Sequence, residues 1–121
     1  MLVNKVLEKI KGHPQLGKMG MIATHLGLVR ETSLDGALVQ AMEVTFDLEA
    51  VERIARETKG LPGIVDAVVE CNPGRLSVGE EVMAVAVGGD TREHVFPALI
   101  KAVDRIKKEA TKKRELRLEN S

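Results

Sequence analysis

Three histidines, one cysteine and a glycine-rich stretch that runs into an arginine are the residues of this chain whose types could do chemistry. His13, His25 and His94 are scattered, without metal-ligand spacing and without a nearby carboxylate pair, so no metal site is expected. His13 precedes Pro14 and reads as exposed loop. His25 lies in an apolar run where strand alternation puts Ala23, His25 and Gly27 on one face and Thr24 and Leu26 on the other. A satisfied buried imidazole and a catalytic one both fit that position. Cys71 closes an apolar segment and reads as a small hydrophobe rather than a nucleophile. Gly88-Gly89-Asp90-Thr91-Arg92 enters a helix, where free N–H groups and the positive end of the dipole could hold an anion beside Arg92. Equally, Asp90 could cap the helix and occupy those donors itself. The run Lys107-Lys108-Glu109-Ala110-Thr111-Lys112-Lys113-Arg114 reads, on composition, as a solvated helix end favoured by the negative end of the dipole.

Elements must position these groups, and periodicity predicts them. Leu2, Val6, Leu7 and Ile10 share one face of a helix over Leu2–Lys11, stopped by Gly12, His13 and Pro14. The apolar run 19–30 reads as a strand bent or bulged at a glycine. Asp35-Gly36 is a hairpin signal, and the strand expected at 37–46 should pair antiparallel with the first. Asp47 is a good N-cap for a helix to about Thr58, closed by Gly60-Leu61-Pro62-Gly63. Strands are expected at 64–71 and 81–87, joined by a turn-rich loop over 72–79. The longest helix should run from about Thr91 to Lys112, with Asp90 and Glu93 as a capping box and Pro97 as a kink or a late start. A short edge strand over 114–119 completes an α-β-β-α-β-β-α-(β) order, an α+β class with helices packed on antiparallel hairpins. No strand carries the glycine fingerprint of a dinucleotide-binding domain.

At 121 residues, the chain has room for one domain over 1–121 with a short basic tail from about residue 113. Its 44% apolar and 30% charged residues exclude wholesale disorder. No apolar run approaches the ~20 residues of a membrane span, and lysines interrupt any leader-like start, so a cytoplasmic protein without membrane contact is expected. Cys71 alone cannot form an internal disulfide. Eighteen basic and eighteen acidic side chains cancel, and Phe46 and Phe96 are the only aromatics, which argues against nucleic acid as a partner. The balance is uneven: residues 101–121 hold eight basic and four acidic side chains.

Several short motifs in order carry a resemblance. Gly20-Met21-Ile22-Ala23-Thr24-His25-Leu26-Gly27-Leu28-Val29-Arg30 resembles the opening strand of the molybdopterin synthase large (catalytic) subunit family, which ends in Phe-x-Gly-x-Val-Arg. Gly74-Arg75-Leu76-Ser77-Val78-Gly79-Glu80 is similar to the later part of that family's His-Arg-x-Gly-x-Leu-x-x-Gly-Glu turn. Thr91-Arg92-Glu93-His94-Val95-Phe96 stands where the family has His-Arg-x-x-Ala-Phe. Asp104-Arg105-Ile106-Lys107 resembles Asp-x-x-Lys, and Lys113-Arg114-Glu115 the end of Pro-x-Trp-Lys-Lys-Glu. The likeness spans about residues 15–117.

The resemblance implies an α/β-hammerhead-like fold and a homodimer or heterotetramer. It implies a small ubiquitin-like sulfur-carrier subunit as partner, whose Gly-Gly C-terminus bears a thiocarboxylate. Sulfur would pass from it to cyclic pyranopterin monophosphate, a pterin precursor bound as substrate, with no permanently bound cofactor. Carried over by position, Lys107 and Lys113 are the implied catalytic lysines, with Lys112 the neighbour competing for the second place. Arg30 and Arg92 are the implied binders of phosphate or tail carboxylate. The chain departs from the pattern at His25, which replaces Phe, at Cys71-Asn72, which replace His-Arg, and at Thr91, which replaces His. The Pro and Trp before the last lysine are missing, and His94 is the nearest substitute for the lost histidine. The alternative is a catalytically degenerate homologue that binds the carrier or an anion. A purely structural reading would make the hairpins a dimer surface.

Overall fold

The computed structural model describes residues 1–118. Helix α1 (Leu2–Lys11) forms as its apolar spacing predicts, and a short 3-10 turn (Leu16–Lys18) leads to β1 (Met21–Leu28). Strand β2 (Val39–Phe46) follows, then α2 (Leu48–Lys59), whose start is capped by Asp47 Oδ1 accepting the Ala50 N–H at 3.2 Å. Strands β3 (Ile64–Cys71), β4 (Gly74–Ser77) and β5 (Glu81–Gly89) lead to α3 (Arg92–Arg105). The helix then widens into a π-helical turn (Ile106–Ala110) and gives way to β6 (Thr111–Arg117).

The strands form two antiparallel three-stranded sheets, β1-β5-β3 and β4-β2-β6. This α+β class matches the expected one, but two pairings differ. β1 and β2 are not neighbours. The Asp35-Gly36 turn does close a small hairpin, with a single bridge between Thr32 and Leu38, and there the pairing stops. β2 has β4 on one edge and β6 on the other, so no edge is left for β1, which pairs with β5 instead. The loop expected over 72–79 carries β4, whose four residues pair with Ala41–Val44. Gly79, at φ +88°, turns the chain from β4 into β5, and its N–H reaches Val29 C=O at 2.8 Å.

Alternation along β5 builds two layers. Ala84 and Ala86 face α1, packing with Val6 and Ile10. Met83, Val85 and Val87 face α2 and α3, packing with Ile54, Val95, Leu99 and Ile106. The alanines and Gly88 keep the first face low: a Cβ on Gly88 would lie 2.5 Å from Met19 Sδ. A smaller cluster of Val29, Val39, Met42, Val44 and Leu76 ties the second sheet to the first.

The long helix departs from expectation at both ends. Thr91, in an extended conformation, is the residue before the first turn, which puts Glu93 one place short of the capping-box position, and no side-chain cap forms. Pro97 is accommodated inside α3. At the other end, regular winding stops at Arg105 rather than near Lys112. Thr111 Oγ1 donates to Ile106 C=O at 2.8 Å, and pairing with β2 draws 111–117 into a strand. Residues 113–117, expected to begin a tail, are therefore part of a sheet; of the edge strand expected over 114–119, Glu119 lies outside the described residues.

Candidate active site

β1 presents Ala23 to the layer that holds α3, and alternation gives His25 and Gly27 the same direction. A register shift opposite Gly27 and Leu28 bends the strand where it leaves β5. α3 runs alongside β1, with its start near Met21 and its far end near His25. There the π-helical turn sets Lys107 over the end of β1, and β6 brings Thr111 and Lys113 from the other sheet. Wide turns of this kind commonly redirect side chains at functional sites.

These residues enclose a cavity of about 150 Å³ at the seam between the two sheets. His25, Lys107, Thr111 and Lys113 supply its polar atoms, and Met42, Phe46, Val82 and Met83 much of its apolar wall. It adjoins a wider and more polar space of about 750 Å³, with Lys107 and Lys113 lining both. Arg30 and Arg117 add guanidinium groups to this outer space, and Asp35 and Glu115 add carboxylates. Arg117 is already paired with Asp35 at 3.1 Å. Asp35 holds its charge, its carboxyl brought down to about 2 by hydrogen bonds from the Ser33 hydroxyl and Ala37 N–H, with Arg117 adding to them. Among the described residues, no carboxylate pairs with Arg30, Lys107 or Lys113. Three cations that no carboxylate neutralises among the described residues can hold an anion at this opening.

His25 contributes a different group. Its Nε2 is shielded from solvent and has no hydrogen-bond partner among the described residues. Burial, reinforced by the Lys107 charge, holds the imidazole below its ordinary pKa, so it stands neutral at pH 7. Buried polar atoms are normally satisfied, and this one is closed off both from solvent and from the cavity that the rest of the ring lines.

The residues expected from sequence are not all gathered here. Arg30, Lys107 and Lys113 meet around one opening. Lys112 does not: alternation along β6 turns it toward Thr45 and Lys108 on another side. Arg92 is also elsewhere, exposed at the start of α3 beside Glu93 at 3.4 Å. Fifteen residues of helical rise put its backbone roughly 22 Å from that of Lys107. His94, the expected substitute base, is held by Asp90 at 2.8 Å. That bond, more than any other contact, draws the Asp90 carboxyl down, and Asp90 also accepts the Thr91 N–H. Asp90 thus stands beside the helix start, engaged by His94 and the Thr91 N–H, without capping the first helical N–H groups. His13 accepts the Gln15 N–H in the turn after α1. Cys71 packs against the main core, its thiol pushed up to about 11 by burial and then by Glu70, so it is protonated and inert. Thr111, Met42 and Phe46 were not expected in the site; they reach it through the pairing of β2 with β6, which no local pattern announces.

Comparison with known proteins bears on the family and the fold. The family model described as MoaE protein matches residues 2–109. An uncharacterised protein of Methanocaldococcus jannaschii is 33% identical over 110 residues, covering 88% of each chain. A molybdopterin synthase catalytic subunit of Pyrococcus abyssi is 33% identical over 92 residues, covering 74% of this chain. The matched part spans 62% of that relative's own length. Among solved structures, a molybdopterin biosynthesis MoaE protein from Burkholderia ambifaria superposes with a TM-score of 0.73 at 26% identity, covering 94% of this chain and 81% of the other. A chain from the complex of subunits 1 and 2 of the molybdopterin-converting factor of Helicobacter pylori shares the fold, with a TM-score of 0.73 at 15% identity over 100% of this chain and 82% of that one.

Proposed function

The chain belongs to the MoaE protein family, and from that membership we propose that it acts in molybdopterin biosynthesis as the catalytic subunit of a molybdopterin synthase. In this reading it moves sulfur from the thiocarboxylated Gly-Gly end of a small ubiquitin-like carrier to cyclic pyranopterin monophosphate. The observation that carries it is the convergence of Arg30, Lys107 and Lys113, unpaired among the described residues, on adjoining spaces of two sizes. The narrow inner cavity suits an extended chain end with no side chains, and the wider outer space suits a cyclic phosphate with its fused rings. Arg30 binds the phosphate through its guanidinium fork. Lys107 and Lys113 face both spaces and stabilise the thiocarboxylate and the negative charge that develops as sulfur changes hands. Arg92 is too far along α3 to join them within one chain; its binding role belongs to a site shared with a second copy. A complex with a small subunit, as in the Helicobacter pylori assembly, supports the carrier as partner.

The test is reconstitution of the full chain with a thiocarboxylated carrier and the pterin precursor. The expected result is a dithiolene product, and its absence with folded protein and several carriers overturns the reading. The alternative, a carrier- or anion-binding module without catalysis, is favoured by one observation: the start of α3 has Thr91 where the family has histidine, and His94 is engaged by Asp90. Tight carrier binding without product would establish it.

A further inference from the structure

We propose that Thr111 is a positioning residue that holds Lys107 at the seam of the two sheets. The inference rests on the sulfur-transfer reading, in which the Lys107 ammonium stabilises the charge that develops as sulfur changes hands. What it adds is the device that keeps this ammonium in place.

Lys107 stands in the π-helical turn Ile106–Ala110, and such wide turns are rare beside ordinary α-helical winding. Each α-helical residue advances by about 100°, so a change of winding there would carry Lys107 around the helix axis. Some contact must therefore select the wide form. On the side of α2, Arg105 grips Glu109 at 2.8 and 3.2 Å and reaches Glu57 at 2.7 Å. Arg105 and Glu109 are four residues apart, a spacing that an α-helical turn offers equally well, so this pair does not select the width. Ala110 C=O accepts the Asp47 N–H at 2.8 Å, which ties down the end of the turn but not its winding.

Thr111 does select it. In an α-helix a threonine hydroxyl bonds the carbonyl three or four residues back, whereas Thr111 Oγ1 donates to Ile106 C=O, five residues back, at 2.8 Å. The bond spans the whole turn, and Lys107 lies inside the loop it closes. Both of its ends are anchored: Ile106 is fully buried in the main core, and Thr111 pairs with Phe46 as β6 joins β2. Thr111 also lines the inner cavity, but its one proton is committed to Ile106, so it has no donor to offer a ligand. Its influence on the reaction therefore passes through Lys107.

The experiment measures single-turnover sulfur transfer, with thiocarboxylated carrier and pterin precursor, for wild type, Thr111→Val, Thr111→Ser, Lys107→Ala and the double variant Thr111→Val/Lys107→Ala. Melting temperature and carrier affinity verify that each variant folds and keeps its opening; Thr111→Ala takes the place of Thr111→Val should that variant fail either check. The expected result is a rate about tenfold lower in Thr111→Val at unchanged carrier affinity, the order of loss that follows when a reacting group is displaced. Thr111→Ser, which keeps the hydroxyl, should recover most of that loss. In the Lys107→Ala background, Thr111→Val should cost nothing further, since the group it positions is gone. An active wild type with Thr111→Val at the same rate, with a loss that serine does not recover, or with a loss that multiplies that of Lys107→Ala, overturns the role of Thr111 and leaves sulfur transfer standing. A wild type that makes no product overturns both.

Discussion

At the start of α3, the imidazole of His94 and the guanidinium of Arg92 already have carboxylates of their own, Asp90 at 2.8 Å and Glu93 at 3.4 Å. At its far end, among the described residues, His25 has a buried nitrogen with no partner and Lys107 has no carboxylate. The same kinds of side chain occur at both ends of one helix. The difference is that the first end closes on itself in solvent, while the second opens on an apolar-walled cavity. Satisfied groups at a helix start steady local structure; a lysine on a cavity wall with no carboxylate beside it keeps its charge free for what enters.

Breaking the second end should have the largest effect. Lys107→Ala is expected to lower turnover about a hundredfold with the fold intact, as measured by single-turnover sulfur transfer, because it removes a charge aimed at the reacting atoms. Arg92→Ala tests whether the two ends meet across copies. It should lower turnover about tenfold by itself, and a mixture of Arg92→Ala with Lys107→Ala chains, unfolded and refolded together, should recover activity that neither has alone. No recovery would confine Arg92 to a local role. A smaller effect separates the two histidines by pH. Because burial lowers the folded pKa of His25, the unfolded chain binds more protons below pH 6.5, and stability falls as pH drops through that window until the folded value is passed. Wild-type melting temperature should therefore decline more between pH 7.5 and 5.5 than that of His25→Phe, by about two degrees or less, since the group is partly solvated. His94→Ala should change least, leaving turnover at the wild-type value; a large loss would erase the contrast between the ends.

Much of this was legible in the chain itself. The 3.6-residue spacing of Leu2, Val6 and Ile10, the cap at Asp47, and the β3–β5 pairing are all local or nearly local signals, and each holds. The second sheet was not legible, because β2 takes partners about thirty and seventy residues downstream, and Asp35-Gly36 encodes only the turn it makes. The site followed the same division. The family resemblance named Arg30, Lys107 and Lys113, together with Arg92, which stands apart from them, but which of two adjacent lysines faces inward depended on the register of β6. His25 was visible as an odd polar residue on one strand face with the small Ala23 and Gly27; that it would share a cavity with Lys107 depended on a turn whose width no pattern foretold.

That turn makes chain length a determinant of reactivity. With five residues from Ile106 to Ala110 in a wide winding, deletion of one would restore ordinary coiling and rotate what precedes it relative to β6 by about 100°. Lys107 would then swing off the seam although every wall-forming side chain kept its identity. Relatives that differ here by a single codon would thus be candidates for silenced copies, recognisable by spacing where substitutions leave no trace.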